Sequence, residues 1–325
     1  MGSLLVQASA GRDQLYQPAL RRNLSGPFTL ARLVLRRGAD VVRIRRWYRF
    51  GGFTHLHVHY GYFAALTPGL PYSLHLHGGD LLMDLHGGLK TRLTLSAIAR
   101  ALRVVVSTPN LLPIARQFRE DAVYIPNPMA IPDWRPHQVS RPAPHIMLLS
   151  KMDPLKGWPL QIGVIRALRD RLPGLTFSFC SDGQLAEPER AAMTRDLVAI
   201  GGQPRTFMSR EAFVAQVISS DFALGQLELG ALGMSELEAM AAALPTIADA
   251  SAHFSLGYRP VVIPPAEVVD AVSNLWSAGR AGRDAFGARG REYVVDVHRP
   301  HTSLEALTAC LAGYAVVNSP VPQPS

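Results

Sequence analysis

From residue 54 to about 315 the chain alternates short apolar, β-rich runs with stretches of helical period. "HLHVHY" (55–60) and "YSLHLH" (72–77) read as strands, and a helix is expected over 88–101. The strand "RVVVS" (103–107), a helix near 110–119 and the strand "AVYIP" (122–126) follow. Such strand–helix alternation predicts a parallel sheet flanked by helices. "PNPMAIPDWRPHQVSRPAP" (126–144) is dense in proline, lacks apolar periodicity and reads as a linker between domains.

The alternation then restarts. "HIMLLS" (145–150) is a strand and 158–172 a helix, with Leu160, Val164, Ile165 and Leu168 predicted on one face. "LTFSFC" (175–180) is the next strand, before a helix near 187–199, the short run "RTFM" (205–208) and a helix near 211–219. The strand "DFALGQL" (221–227), a helix from 234, "PTIADA" (245–250), "RPVVI" (259–263) and helices to about 316 complete the pattern. "SLLVQASAG" (3–11) is a weak opening strand, and the next fifty residues look mainly helical. The expected organisation is an N-terminal domain over 1–137 with an irregular start and a second α/β domain over 138–300. A helix over 301–318 is a candidate to cross back, and 319–325 read as a disordered tail.

Composition narrows the class. The 325 residues are 48% hydrophobic and 18% charged, a globular profile. No apolar run approaches a membrane span, and no basic region followed by an apolar core marks a secretory signal. Cys180 and Cys310 are the only cysteines, which fits a reducing compartment and a cytoplasmic location. The net charge is +8, yet only Lys90, Lys151 and Lys156 are lysines. Arginine crowds the first fifty residues, from Arg21 to Arg49, interleaved with Leu, Val, Ile and Trp. Such a stretch suits the anionic inner face of a membrane, or it is a solvated helix face. No nucleic-acid motif accompanies it.

"LLSKMDPLKGWPL" (148–160) sets Lys151 at a strand end and Lys156 before a helix, where α/β sheets bind phosphates. Two cations five residues apart on one turn can both reach a diphosphate. In "LGALGMSELEAMAAALPTIAD" (229–249), Gly230 and Gly233 precede a helix whose first amides face whatever lies before it. "SELE" also has the form of a capping box, so Glu238 reaches either its own helix start or a ligand's ribose hydroxyls. Met240 and Leu244 read as core. "CSDGQ" (180–184) is a further turn at the same sheet edge.

Taken in order, "HVHYG", "HLHGGD", "IPNP", "LLSKMDPLKGW", "FCSDGQ" and "GMSELEAMAAALPTI" resemble a GT-B-fold glycosyltransferase, closest to the family-4 retaining enzymes, over roughly residues 54 to 300. The resemblance implies an α/β fold of two Rossmann-like domains facing a central cleft. It implies a nucleotide-sugar donor on the C-terminal domain, a hydroxyl acceptor on the other, and no cofactor beyond the donor. Lys156 matches the lysine on the donor diphosphate, and Lys151 stands where an arginine is usual, keeping the charge without the guanidinium fork. Ser181, Gly183, Gly233, Met234 and Ser235 fall on the donor-side turns. Glu238 matches the second of a glutamate pair and His77 the histidine facing the transferred sugar. His59, Gly61 and Asp80 fall on the acceptor side of the cleft. The first glutamate of the pair falls at Gly230, with Glu228 two residues out of register.

His55, His57 and His59 alternate along one strand and share a face. An amidohydrolase also opens on a His-x-His strand, so a metal-dependent hydrolase is the competing reading, with His75, His77, Asp80 and Asp84 as further candidates. It would need a histidine at a later strand end, and His253, His298 and His301 lie elsewhere. The favoured expectation is a metal-independent transferase with a lipid-linked hydroxyl as candidate acceptor. There is no Asp-x-Asp to clamp a metal–nucleotide. A GT-B scaffold with a damaged sugar site is the non-catalytic alternative.

Overall fold

The computed structural model describes residues 4–8, 13–16, 27–51, 53–83, 85, 87–131, 133, 134, 136, 141–153, 156–183, 185–206 and 209–315; for 4–37, 53, 54 and 313–315 it describes the backbone alone. Asp84, parts of the proline-rich run, the side chains of Arg21 to Arg37 and the tail from 316 therefore lie outside the described residues. The chain divides into two compact units, Met1–Asn127 with Ser303–Ser325, and Pro128–Thr302.

In the first unit, β1 (Leu4–Ala8) and β2 (Asp13–Tyr16) pair antiparallel, and β1 pairs antiparallel with β3 (Phe53–His59). The sheet continues in parallel through β4 (Ser73–Leu76), β5 (Arg103–Val106) and β6 (Val123–Tyr124), in the order β2-β1-β3-β4-β5-β6. The wholly parallel sheet expected from the alternation is thus modified at one edge. A short connection permits antiparallel pairing of β1 with β2, where a parallel neighbour needs a crossover. The helix α1 (Pro27–Phe50) supplies the helical character read in this region.

Period-two alternation sorts β3 and its neighbours by face. Leu56, Val58, Leu74, Leu76, Val104 and Val106 enter one core with Ile44 of α1 and Ala97 and Ile98 of α2 (Leu89–Arg100). Full burial of each aliphatic side chain stabilises the unit by roughly 1.5–3 kcal/mol. The other face of β3 carries His55, His57 and His59. The short helix α3 (Leu112–Arg116) precedes β6, and α11 (Pro300–Ala315) is held to β5 by Arg103 Nε donating to the Cys310 carbonyl at 3.4 Å.

The second unit has a five-stranded, all-parallel sheet. Its strands are β7 (His145–Leu148), β8 (Thr176–Cys180), β9 (Gly202–Arg205), β10 (Phe222–Leu224) and β11 (Thr246–Ile247), in the order β11-β10-β7-β8-β9. Ile146 and Leu148 enter one core cluster, Met147 and Leu149 another, so β7 is buried on both faces as an inner parallel strand should be. β9 lies at Gly202–Arg205, earlier than "RTFM", and "RPVVI" contributes only a bridge from Ile263 to Ile247. Between strands run α4 (Trp158–Arg171), α5 (Glu187–Ala199), α6 (Arg210–Ile218) and α7 (Met234–Ala241); α8 (Ser251–Ser255), α9 (Val268–Ser277) and α10 (Gly279–His298) follow.

Helix α4 corrects one predicted face. Leu160 is 40% exposed, whereas Trp158, Gln161, Val164, Ile165 and Leu168 are buried. Three of the four predicted positions are buried; Leu160 is not, and Gln161 takes the inward place beside it, its amide bonded to the Lys156 carbonyl. Two open sheets in separate units also overturn the barrel that the competing hydrolase reading requires. Among the described residues no helix is long and apolar enough to cross a membrane.

Candidate functional site

In the second sheet the strand order reverses direction between β7 and its neighbours β8 and β10, and the carboxyl ends beside such a reversal are where open α/β sheets bind ligands. A cavity of about 340 Å³ lies there, lined by Leu149 and Lys151 after β7, Cys180 of β8, Arg210 of α6, and Ser235 and Glu238 of α7. Lys151, Ser235 and Glu238, predicted on the donor side, are therefore brought together. Lys156, Ser181, Gly183, Gly233 and Met234 are not among the residues that line it; Gly233 and Met234 open α7, whose Ser235 and Glu238 do.

The lysine loop is braced from below. Trp158 Nε1 donates to the Lys151 carbonyl at 2.5 Å, and Gln161 Nε2 donates to the Lys156 carbonyl at 2.7 Å. Gly157, at φ +67°, lets the chain turn into α4, and a Cβ there would meet Glu228 Cγ at 2.9 Å. Glu228 thus packs against the lysine turn, which its sequence offset had concealed. Gly183 makes a bridge with Met152, and a Cβ there would lie 2.0 Å from the Met152 carbonyl oxygen. The glycine is required for backbone approach. Ser181 donates its hydroxyl to the Arg205 carbonyl at 3.0 Å.

The turn before α7 is wound around one buried amide. Gln226 donates to the carbonyls of Ala231 and Asp249, both at 2.7 Å, and its Oε1 accepts from the amides of Glu228 (3.1 Å) and Leu229 (2.7 Å). Every donor and acceptor of its side chain is used. Glu236, also buried, accepts from the backbone N–H of Gln226 at 2.9 Å. His253 Nε2 accepts from the Leu232 amide at 3.1 Å, and its Nδ1 lies 3.2 Å from Tyr293 Oη. That amide contact makes Nδ1 the protonated nitrogen. Burial, then the nearby His298, lowers the pKa of His253 to about 4.

Gly233 is the N-cap of α7 and, as a glycine, brings no capping side chain of its own. Glu238 does not close a capping box; its carboxylate meets Arg210 at 2.5 Å. The Arg210 guanidinium also lies 5.5 Å from the Trp134 ring centre. Met240 and Leu244 are buried. Gly230 has φ +70°, and a Cβ there would meet Ser251 Oγ at 2.8 Å, so a glutamate at that position would be strained and would displace the serine.

In the first unit, β3 and β4 pair in the register His57↔Ser73 and His59↔His75. His55 Nε2 and His57 Nδ1 lie 2.7 and 2.6 Å from Ser73 Oγ. His57 Nε2 is 3.3 Å from His75 Nδ1, and His59 Nδ1 is 2.9 Å from His77 Nε2. Burial pushes His55 and His59 to a pKa of about 4 and His77 to about 3. It also holds His57 and His75 well below 6.5, with neighbouring rings adding to the effect. All five are neutral at pH 7. Tyr60 stacks on His77 with ring centres 4.7 Å apart and has φ 69°, a strained value for a non-glycine residue.

Asp80 is fully buried and accepts from the Gly61 amide at 2.9 Å and the His77 amide at 2.8 Å, so its carboxylate clamps the loops that leave β3 and β4. Gly61 itself sits where a Cβ would meet Thr94 of α2 at 2.7 Å. Glu236, Arg210 and Gln226 are the residues that motif reading missed, and it named Glu228 and His253 without finding their partners. "GQLELG" and its isolated buried glutamine carried a signal only in hindsight, because long-range partners define their tasks.

No protein-family model matches the chain, and no curated protein sequence is similar enough to match. Solved structures do. Sucrose-phosphate synthase from Thermosynechococcus elongatus is 15% identical at a TM-score of 0.65, covering 96% of this chain and 86% of its own. Anabaena HepE in complex with UDP-glucose is 14% identical at 0.64, covering 87% and 84%. S. aureus TarM (a point mutant in complex with fondaparinux, α-GlcNAc-glycerol and UDP) is 17% identical at 0.57, covering 74% of this chain. The chain spans half the length of TarM. At these identities the likeness concerns architecture: the chain has an α/β GT-B fold with Rossmann-like parallel sheets.

Proposed function

We propose that the protein is a glycosyltransferase of the retaining, family-4 type that takes a hexose from a UDP-sugar to a hydroxyl acceptor. The observation that carries this reading is the cavity at the carboxyl ends of β7 and β8, which joins Lys151 to Glu238 in a chain folded like proteins captured with UDP and UDP-glucose. Glu238 suits the ribose hydroxyls, and it exchanges its Arg210 partner for them when the donor binds. Lys151 and Lys156, with the first amides of α7, suit the diphosphate.

The acceptor hydroxyl attacks the anomeric carbon on the face that the nucleotide leaves. The C–O bond to the β-phosphate breaks, a phosphate oxygen takes the hydroxyl proton, and glycoside and UDP result. Lysines and helix amides stabilise the charge growing on the leaving diphosphate without a bridging metal. His77, on which the Tyr60 ring stacks, is assigned to the transferred sugar. Glu228, lying at Gly157, stands in for the carboxylate that Gly230 cannot carry, which favours an active enzyme over an inert scaffold.

The acceptor is lipid-linked and the protein works at the cytoplasmic membrane surface. Arg45, Arg46, Arg49 and the 79% exposed Phe50 at the end of α1 form a basic, apolar-tipped surface suited to anionic headgroups. Thermal unfolding with a panel of nucleotides tests the donor assignment, since a ligand bound only by the native state raises Tm. The expected result is a rise with UDP that persists in EDTA and is reduced in Lys156→Ala. No rise with any nucleotide would refute it. Co-sedimentation with anionic vesicles tests the membrane assignment, and failure to sediment at low salt would remove it.

A further inference from the structure

The histidine cluster on β3 and β4 is larger than a transferase site of the kind proposed above uses. His57 is 4% and His75 6% exposed, and both lie behind the partly exposed His59 and His77. One ring nitrogen from each of His57, His59 and His75 lies within 4.8 Å of the others. Two nitrogens bound to a tetrahedral zinc ion at about 2.0–2.1 Å are themselves about 3.3–3.4 Å apart. The His57 Nε2 to His75 Nδ1 separation is 3.3 Å. The widest pair must close by no more than about 1.5 Å to complete such a shell, a movement within reach of small ring rotations.

Hydrogen bonding within the protein does not satisfy this cluster. Whichever way a proton lies between His57 and His75, Nε2 of His75 is buried and has no partner. Leaving a buried polar atom unpaired costs about 1–3 kcal/mol, so such an atom calls for an explanation. His75 therefore places Nδ1 at ligand spacing from His57, while its buried Nε2 has no hydrogen-bond partner; a cation on Nδ1 does not itself satisfy Nε2. The surroundings are those of an outer shell: Ser73 Oγ holds His57 Nδ1, and His77 holds His59 Nδ1. Ring nitrogens fixed in this manner are what orient imidazoles toward a metal.

We propose that His57, His59 and His75 bind one borderline divalent cation, zinc by ligand type, pinning the ends of β3 and β4 and leaving a fourth position for water or a ligand. A set of imidazoles without thiolate or carboxylate selects zinc and its neighbours over magnesium or calcium. This inference is independent of the transferase reading. It also departs from the expectation of a metal-independent protein, and it gives His59, expected on the acceptor side, a second task.

The test uses the full chain, freed of any histidine tag, stripped with EDTA and then titrated with zinc alone against a chromophoric chelator. One zinc per chain is expected, with a rise in Tm. Ser73→Ala should weaken binding by about ten- to a hundredfold while leaving all three ligands in place. His59→Asn, at the half-buried ligand, should weaken it at least as much. Should the histidine variant misfold, cobalt bound to the wild-type chain decides: intense visible bands of a tetrahedral nitrogen site are expected. A folded wild-type chain that retains no zinc, zinc affinity undiminished in both variants, or only the weak spectrum of octahedral cobalt would each overturn the proposal. UDP binding, measured on the same stripped protein, separates its failure from that of the transferase reading.

Discussion

Arg210 on α6 closes onto Glu238 on α7 at 2.5 Å, across the mouth of the cavity at the carboxyl end of the second sheet. The arginine side chain is 56% exposed and the glutamate 11%, so this is a partly solvated pair worth about 0–1 kcal/mol to folding. Its interest lies in function: a carboxylate held by a weak partner is available to a stronger one. Glu238→Gln should lower UDP affinity by about tenfold, roughly 1.4 kcal/mol, while shifting stability by less than about 1 kcal/mol. Calorimetric titration with UDP and urea unfolding separate the two effects, and an affinity equal to wild type would remove Glu238 from the donor site.

The two lysines should act on phosphate and not on the base. Lys156→Ala and Lys151→Ala are each expected to weaken UDP by about tenfold and uridine hardly at all, because the lost term is charge on charge. Equal losses for UDP and uridine would mean that the loop has been distorted.

Asp80→Ala tests the clamp beneath His77. It strips two buried backbone amides, those of Gly61 and His77, of a charged acceptor. A loss of about 2–4 kcal/mol is expected from urea unfolding followed by a probe in the first unit. A loss below about 1 kcal/mol would show that water replaces the carboxylate.

Gln226→Leu keeps much of the volume but orphans two carbonyls and two amides around the turn before α7. The cost should exceed about 2 kcal/mol, and UDP affinity should fall with it, since the same turn presents the start of α7. Unchanged affinity would detach this turn from donor binding.

His253 sets an acid limit. Its pKa is about 4 in the folded chain against 6.5 for a free histidine, so the unfolded state binds more protons between those values. The contribution is complete above about pH 6.5 and is lost as pH falls through 4, at up to about 1.4 kcal/mol per pH unit. His55, His57, His59, His75 and His77 of the first unit are lowered by burial in the same direction. A His253→Gln variant should therefore unfold with a shallower acid slope in urea titrations at pH 4 to 7. An unchanged slope would place the titration elsewhere.

Local pattern alone carried the alternation of strands and helices, the division into two α/β halves and the lysine turn, because each depends on short-range periodicity or on the geometry of a strand end. It also placed the three histidines of β3 on one face, a direct consequence of the two-residue repeat. Leu160 misled because an amphipathic stripe is diluted when a buried polar residue, Gln161, takes an inward position. The antiparallel edge of the first sheet, the pairing of Arg210 with Glu238 and the approach of Glu228 to Gly157 were decided only when distant segments came together. Whether the histidines of β3 meet those of β4 was undecided for the same reason. Parallel register sets His59 beside His75, and register is a property of two strands, which no single stretch of chain contains.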